Sequence, residues 1–443
     1  MPALNATHDP ARRSWVAGAN APGGDFPIQN LPFGIFRRPG EAARGGVAIG
    51  GMILDLPAAL ERGLFTGLAA SAAEAAGGGA LNRLMQMGNL ASGALRAQLS
   101  EMLREGTASR APSLAAQILV PMAEAELLLP AQPGSFTDFL TSLYHTERGG
   151  RRRNPQQPLP PAFKHLPVAY NSRASSVRVS GEAVRRPNVQ RARADGSVDF
   201  GPCEQQDFEL ELGMWVGPGN AIGEPIPLEE APDHIFGYSL VNDWSSRDIQ
   251  RWESQPLGPF LSKSLSTSVS PWVVTAEALA PFRCPGPVRP EGDPAPLPYL
   301  TAASDQAEGG IDLGMEVLLL TPRMREAGSG PAVICRTNFR HMYWTMGQML
   351  THHASNGCNL RPGDLIASGT CSGPTDDSRA CLSEITAGQN PMPLPNDETR
   401  LWLEDGDEVI FRARAERPGF VAIGFGECRG RLDPAPAWPG DLR

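Results

Sequence analysis

The stretch that most constrains this chain is Asp207-Phe-Glu-Leu-Glu-Leu-Gly-Met-Trp-Val216. The apolar run from Leu210 to Val216 predicts a strand, and a strand turns successive side chains to opposite faces. Glu209 and Glu211 therefore share one face of an otherwise apolar segment. Like charges side by side on a strand face repel and destabilise it. Either that face is solvated, which the Glu-Leu-Glu string alone leaves open, or a bound cation reverses the cost.

The chain around this string is globular. It has 443 residues, 41% apolar and 20% charged, with Gly and Pro together about a fifth of the total. With few long periodic helices, that composition predicts many short strands and turns. Gly46-Val-Ala-Ile-Gly-Gly-Met-Ile-Leu-Asp55 is two apolar runs about Gly50-Gly51, a hairpin signal. Residues 57–105 have helical spacing, with Leu95, Leu99 and Leu103 on one face. Further strands are expected at Ser176–Ser180, Ile311–Leu320 and Val409–Arg414, and a helix over 340–354 stopped by Asn356-Gly357. The polar, Gly/Pro-rich residues 1–24 lack the apolar core of a signal peptide and are expected to form a flexible extension. An N-terminal domain is expected over 25–130 and a C-terminal domain over 131–443.

A net charge of −9 argues against nucleic acid as the main partner and fits a cytoplasmic protein. No apolar run reaches the roughly 18 residues of a membrane span. Seven cysteines with no Cys-x-x-Cys argue against a disulfide framework or a zinc site.

Several longer strings carry a family resemblance. They are Asp25-Phe-Pro-Ile-Gln-Asn-Leu-Pro-Phe-Gly34, Ser172-Arg-Ala-Ser-Ser176, the Glu-Leu-Glu string, Asn242-Asp-Trp-Ser-Ser-Arg-Asp-Ile-Gln250 and Pro256-Leu-Gly-Pro-Phe-Leu-Ser-Lys-Ser264. Tyr343-Trp-Thr-Met346, Thr351-His-His353, Asn356-Gly-Cys-Asn-Leu-Arg-Pro-Gly-Asp364 and Ala367-Ser-Gly-Thr370 follow in order. Over roughly 25–430 the chain resembles the fumarylacetoacetase family. The resemblance implies a mainly β fold with some α: an N-terminal SH3-like barrel, then a larger C-terminal mixed β-sandwich or roll. It also implies a homodimer.

The implied reaction is metal-dependent hydrolysis of a carbon–carbon bond in a β-diketone, as in the cleavage of 4-fumarylacetoacetate to fumarate and acetoacetate, the last step of tyrosine degradation. By resemblance, Asp138, Glu209, Glu211 and Asp243 are metal ligands, and their all-oxygen set selects Ca²⁺ or Mg²⁺. Lys263 and Thr267, with Asp243, fall at a second structural Mg²⁺ position. His145 matches the general base and Glu384 its partner carboxylate. Arg247, Gln250 and Lys263 match the groups that stabilise the oxyanion. Tyr170, Gln250 and Thr370 match substrate contacts, as does Arg153, although a one-residue gap leaves Arg152 an equal candidate.

The departures from the family lie around the substrate. Leu140 and Ser254 stand where the family has tyrosines that bind polar ends of the substrate. Thr146-Glu-Arg-Gly-Gly-Arg-Arg-Arg-Asn154 replaces the string expected after the base, and a flexible lid is the expectation for it. Two substrates are therefore open: the family's diketo acid, and another diketone or acylpyruvate in a biosynthetic or degradative pathway. A catalytically silent metal-binding scaffold is the remaining reading.

Overall fold

The computed structural model describes residues 3–440; Met1, Pro2 and 441–443, the outer ends of the expected extension and C-terminal domain, lie outside them. In chain order the elements that build the site are β1 (Phe33–Arg37), β2 (Arg44–Ile49), β3 (Met52–Asp55), helices α1 (Gly67–Ala76) and α2 (Gly88–Met102), β4 (Leu119–Pro121), β5 (Glu126–Leu128) and β6 (Phe136–Leu140). Then come α3 (Leu143–Arg153), β7 (Val168–Ser172), β8 (Val177–Val179), β9 (Leu210–Val216), β10 (Ile235–Asp243), α4 (Arg247–Glu253), β11 (Thr267–Val269) and β12 (Trp272–Thr275). The chain continues through β13 (Gly314–Leu320), β14 (Ala332–Asn338), α5 (Met346–Ala354), β15 (Leu365–Ala367), α6 (Leu382–Ile385), β16 (Glu408–Ala415) and β17 (Ile423–Asp433). The fold is mixed α/β.

One sheet runs β4-β3-β2-β1-β12-β10-β9-β15-β6-β7, with β5 beside β1 and β11 joining β10 to β8. A second sheet runs β14-β13-β16-β17 and ends on the short strand Val184–Arg185. Apolar side chains alternate on β9 and meet the second sheet: Leu210, Leu212 and Met214 share a core with Val317, Phe411 and Phe425. Leu95, Leu99 and Leu103 on and just after α2 pack with Phe33, Ile35 and Val47, so the helical face expected there is the face turned to the N-terminal strands.

Three expectations are corrected. The N-terminal strands form no closed barrel: β4 and β5 do not pair among the described residues, and β1 instead runs on into β12. At that junction Gly34 lies opposite Trp272, and a Cβ at residue 34 would come within 2.6 Å of the indole. The segment 3–24 is not a free extension. Thr7, His8, Ser14 and Val16 are buried, Ser14 bridges to Arg104, and the buried Arg96 donates to Thr7 and to the Gln29 carbonyl. Finally, the string after His145, expected as a flexible lid, lies on one helix with it: α3 starts where Ser142 Oγ accepts the His145 N–H at 3.1 Å.

The Gly50-Gly51 turn does join a hairpin, with Ile49 opposite Met52. The helix expected over 340–354 is shorter. Its regular part begins at Met346 behind a Thr345–Gln348 capping box, and Gly357 takes φ +80° beyond its end. No helix among the described residues is long and apolar enough to cross a membrane.

Candidate active site

Sheet order gathers the acidic residues. Asp138 on β6 lies beside Ala367 of β15, which pairs with Gly213 of β9, two residues from Glu211. Asp243 closes β10, the other neighbour of β9. The ligand oxygens of Asp138, Glu209, Glu211 and Asp243 consequently lie within 4.8 Å of one another, and all four residues are buried. The solvated-face reading of the Glu-Leu-Glu string does not describe this arrangement.

The cluster is partly neutralised from one side. Lys263 Nζ donates to Glu209 Oε2 at 2.6 Å and to Asp243 Oδ2 at 2.5 Å. Arg247 Nη1 sits 2.7 Å from Glu209 Oε1. These two cations hold the Glu209 carboxyl well below its usual range, although burial acts the other way. Glu211 has no such partner. Burial, and then the charges of Asp138, Asp243 and Glu209, push its carboxyl well above normal. Burial and Asp243 do the same to Asp138, and burial raises Asp243.

Both Glu211 oxygens, Asp138 Oδ1 and Asp243 Oδ1 are buried without a protein donor. Leaving buried carboxylate oxygens unpaired costs several kcal/mol (roughly) per ion unless a cation meets them. The donor set is all oxygen and carries more negative charge than Lys263 and Arg247 cancel, so the residues fit a hard divalent cation. Lys263 is not a ligand through its side chain: its amine donates to two carboxylates, and Asp243 and Glu209 keep it protonated against the pull of burial. A metal contact from residue 263 would have to come from its main-chain carbonyl. Thr267 Oγ1 is buried and without a partner beside this group.

The base and its partner come from segments far apart in the chain. His145 Nδ1 lies 2.7 Å from Glu384 Oε2. Glu384 also accepts from Ser372 Oγ at 2.5 Å and from Arg148 Nη1 at 3.1 Å. His145, Ser372 and Arg148 lower the Glu384 carboxyl to about 2 despite its burial. A carboxylate at Nδ1 fixes the N–H there and leaves Nε2 as the acceptor. Cys381 Sγ stands 3.4 Å from the same Glu384 oxygen, and burial followed by the Glu384 and Asp207 charges keeps it a thiol.

Asp207 ties the two halves of the site together. Its Oδ1 accepts from the N–H of Phe208 and, at 2.8 Å, from that of Leu382; its Oδ2 accepts from the Ser383 N–H and, at 2.9 Å, from Arg247 Nε. One buried carboxylate thus caps the first turn of α6, which carries Glu384, and aims Arg247. Arg247 Nη1 also donates to Gln250 Oε1 at 2.9 Å, so the Gln250 amide nitrogen is left for the cavity, and Arg247 Nη2 is buried without a partner.

Asp138, His145, Tyr170, Glu209, Arg247, Gln250, Lys263 and Thr370 all border one cavity of about 950 Å³, together with Arg152 and Arg153. Gly369 takes φ +75°, and a Cβ there would come within 2.1 Å of the Phe139 carbonyl. That tight turn sets Thr370 on the wall with its buried hydroxyl unpartnered. Tyr170, expected on the substrate, instead turns its hydroxyl to Asp138 Oδ2 at 2.6 Å and Asp243 Oδ2 at 2.9 Å. Arg152 is engaged with Ser383. Asp207, Arg148 and Ser372 escape the sequence reading, although Asp207 opens the very string that led to Glu209.

The comparisons with known proteins match the chain in two successive parts. Residues 29–130 match the family described as Fumarylacetoacetase N-terminal, and residues 135–433 match Fumarylacetoacetate (FAA) hydrolase C-terminal. A fumarylacetoacetase of Oryza sativa subsp. japonica is 46% identical over 424 residues, covering 94% of this chain and 96% of its own. Those of Bos taurus and Homo sapiens are 46% and 45% identical, each covering 93% of this chain and 97% of its own. With two family halves in order and near full-length relatives at this identity, the chain belongs to the fumarylacetoacetate hydrolase family.

Proposed function

We propose that the chain is a metal-dependent hydrolase that cleaves a carbon–carbon bond of a β-diketo acid, with fumarylacetoacetate, the substrate its relatives are named for, as the first candidate. The observation that carries this reading is the convergence of a His145–Glu384 pair at 2.7 Å and the four-carboxylate cluster beside one cavity. Mg²⁺ or Ca²⁺ held by Asp138, Glu209, Glu211 and Asp243 would supply Lewis-acid polarisation of the diketone oxygens.

The chain's own groups do the rest. Glu384 holds the His145 N–H, so Nε2 takes a proton from water. The hydroxide attacks the carbonyl, and charge develops on its oxygen. Arg247 Nη2, the Gln250 amide and Lys263 are donors placed for that charge, effective because their partners already orient them. The carbon–carbon bond breaks, and the proton held at His145 balances the leaving carbanion. Thr370 and Arg153 orient the acid end of the substrate.

Incubation with fumarylacetoacetate and Mg²⁺ or Ca²⁺, followed by loss of diketone absorbance, tests the reading. Turnover abolished by a chelator and by His145→Ala is the expected result; metal binding with no turnover would sink it. Leu140 and Ser254 on the cavity wall favour a second reading, in which the same chemistry acts on another diketone or acylpyruvate. A silent scaffold is disfavoured by the complete pairing around Glu384.

The working form is proposed to be a cytoplasmic homodimer. Leu257 and Phe260, 95% and 67% exposed, with Trp252 and Leu261, form an apolar surface at the cavity's edge that a second copy would cover. A monomer by light scattering at micromolar concentration would remove the homodimer from the proposal.

A further inference from the structure

The His145–Glu384 pair is held from behind by a side chain that borders no part of the cavity. Arg148 follows His145 by three residues on α3, so the two leave the helix on the same face. Its terminal nitrogens go to different places. Nη1 donates to Glu384 Oε1 at 3.1 Å. Nη2 donates to three successive carbonyls, those of Gly373 at 2.9 Å, Pro374 at 3.1 Å and Thr375 at 3.3 Å.

The two oxygens of Glu384 are not equivalent. Oε2 is crowded: His145 Nδ1 and Ser372 Oγ donate to it, and the Cys381 thiol stands 3.4 Å away. Oε1 has Arg148 alone among the described residues. A carboxylate held by one oxygen is free to turn about its last bond. The fork of Arg148 removes that freedom, because its other nitrogen is fixed by a loop with no room to shift. A Cβ at Gly373 would come within 2.9 Å of Ser378 Oγ, and among the described residues no donor but Arg148 reaches the Gly373 and Pro374 carbonyls.

Charge acts in the same direction. Burial alone would raise the Glu384 carboxyl, and His145, Ser372 and Arg148 bring it to about 2 instead. His145 must be neutral to accept a proton. In that state Arg148 is the one cationic side chain bonded to the Glu384 carboxylate among the described residues, and it keeps that carboxylate ionised.

We propose that Arg148 is a positioning residue for the base: by spanning Glu384 and the 373–375 carbonyls it locks the plane of the carboxylate, and so the direction of His145 Nε2, before substrate enters. The role rests on the hydrolase reading for its effect on turnover, while the positioning itself is measurable without substrate. Lysine would supply the charge without the planar fork.

The test compares the full chain with Mg²⁺ present as wild type, Arg148→Gln and Arg148→Lys. The His145 Nδ1 proton, held against a carboxylate at 2.7 Å, should give a proton resonance far downfield of the amides, assigned by its loss in His145→Ala. In Arg148→Gln that resonance should move or broaden, and kcat for fumarylacetoacetate should fall about 10–100-fold with KM unchanged. Arg148→Lys, which also decides the matter if the glutamine variant does not fold, should recover only part of both. A wild type without the resonance, wild-type resonance and kcat in either variant, or a rise in KM that accounts for the whole loss would each overturn the proposal. A resonance that depends on Arg148, in a protein that turns over no diketo acid, would instead leave the positioning role standing and remove the hydrolase reading.

Discussion

The two ends of the cavity are built to opposite rules. At the inner end His145, Glu384, Asp207, Arg247, Glu209 and Lys263 form a connected net in which nearly every charge has two partners. At the mouth, Arg153 and Arg251 have no such partner among the described residues, and on the cavity wall Leu140 and Ser254 offer the substrate no free hydroxyl. The inner end is rigid because each group fixes its neighbour, which suits chemistry that tolerates little misplacement. The mouth can change one residue at a time without breaking a network.

The largest effect should follow from breaking the inner net at the base. Glu384→Gln removes the charge that sets the His145 tautomer and leaves Arg148 unpaired; kcat should fall by about 10²–10⁴ with KM little changed. A variant with wild-type kcat in steady-state assays would show that the rigid end is not the engine.

Asp207→Asn comes next. The residue touches no substrate, yet it aims Arg247 and caps the helix of Glu384. A shift of both groups should cost about a hundredfold in kcat, and melting should report a loss of about 1–3 kcal/mol. A loss of stability with kcat intact would reduce Asp207 to a merely structural cap.

Metal addition probes the inner end thermodynamically. Asp138, Glu211 and Asp243 have raised carboxyl pKa values, so in the metal-free protein their favourable contribution is present at low pH and is lost as pH rises through those values. Glu384 runs the opposite way. Its stability contribution is present above the ordinary carboxylate range and is lost as pH falls toward about 2. Mg²⁺ competes with protons for the raised group and should therefore lift Tm more at about pH 8 than at about pH 5. The gain should be about 2.7 kcal/mol at a hundredfold excess over Kd. An equal lift at both pH values would mean that the ion binds elsewhere.

The smallest effect is expected at the mouth. Leu140→Tyr adds a donor to the wall and should change KM for a diketo acid by about tenfold or less, with kcat preserved. A large fall in kcat would show that the mouth is coupled to the inner net after all.

How far the sequence exposes this arrangement depends on the range of the interactions. The strand Leu210–Val216 and the Gly50-Gly51 hairpin are legible because apolar alternation and turn residues act locally. The acid cluster is legible as an electrostatic anomaly within one strand. The helical setting of His145 is not: Gly149-Gly150 disfavours a helix, and what holds α3 is Ser142 at its start and contacts to residues 372–384. The missing barrel closure hinges on whether two three-residue strands pair, which no local pattern encodes. Asp207 is overlooked because a carboxylate that satisfies backbone N–H groups looks, in sequence, like any acid before a strand.

Gly34 gives the fold one more property. Because a bare backbone lets Trp272 lie across it, β1 can pair with β12, and that pairing is two residues wide. The first hundred residues therefore serve as a permanent shield for the open flank of β12, which would otherwise present unpaired amides to any passing chain. Prising the pairing apart with a bulkier residue at 34 should expose that edge and raise aggregation without altering a residue of the cavity wall.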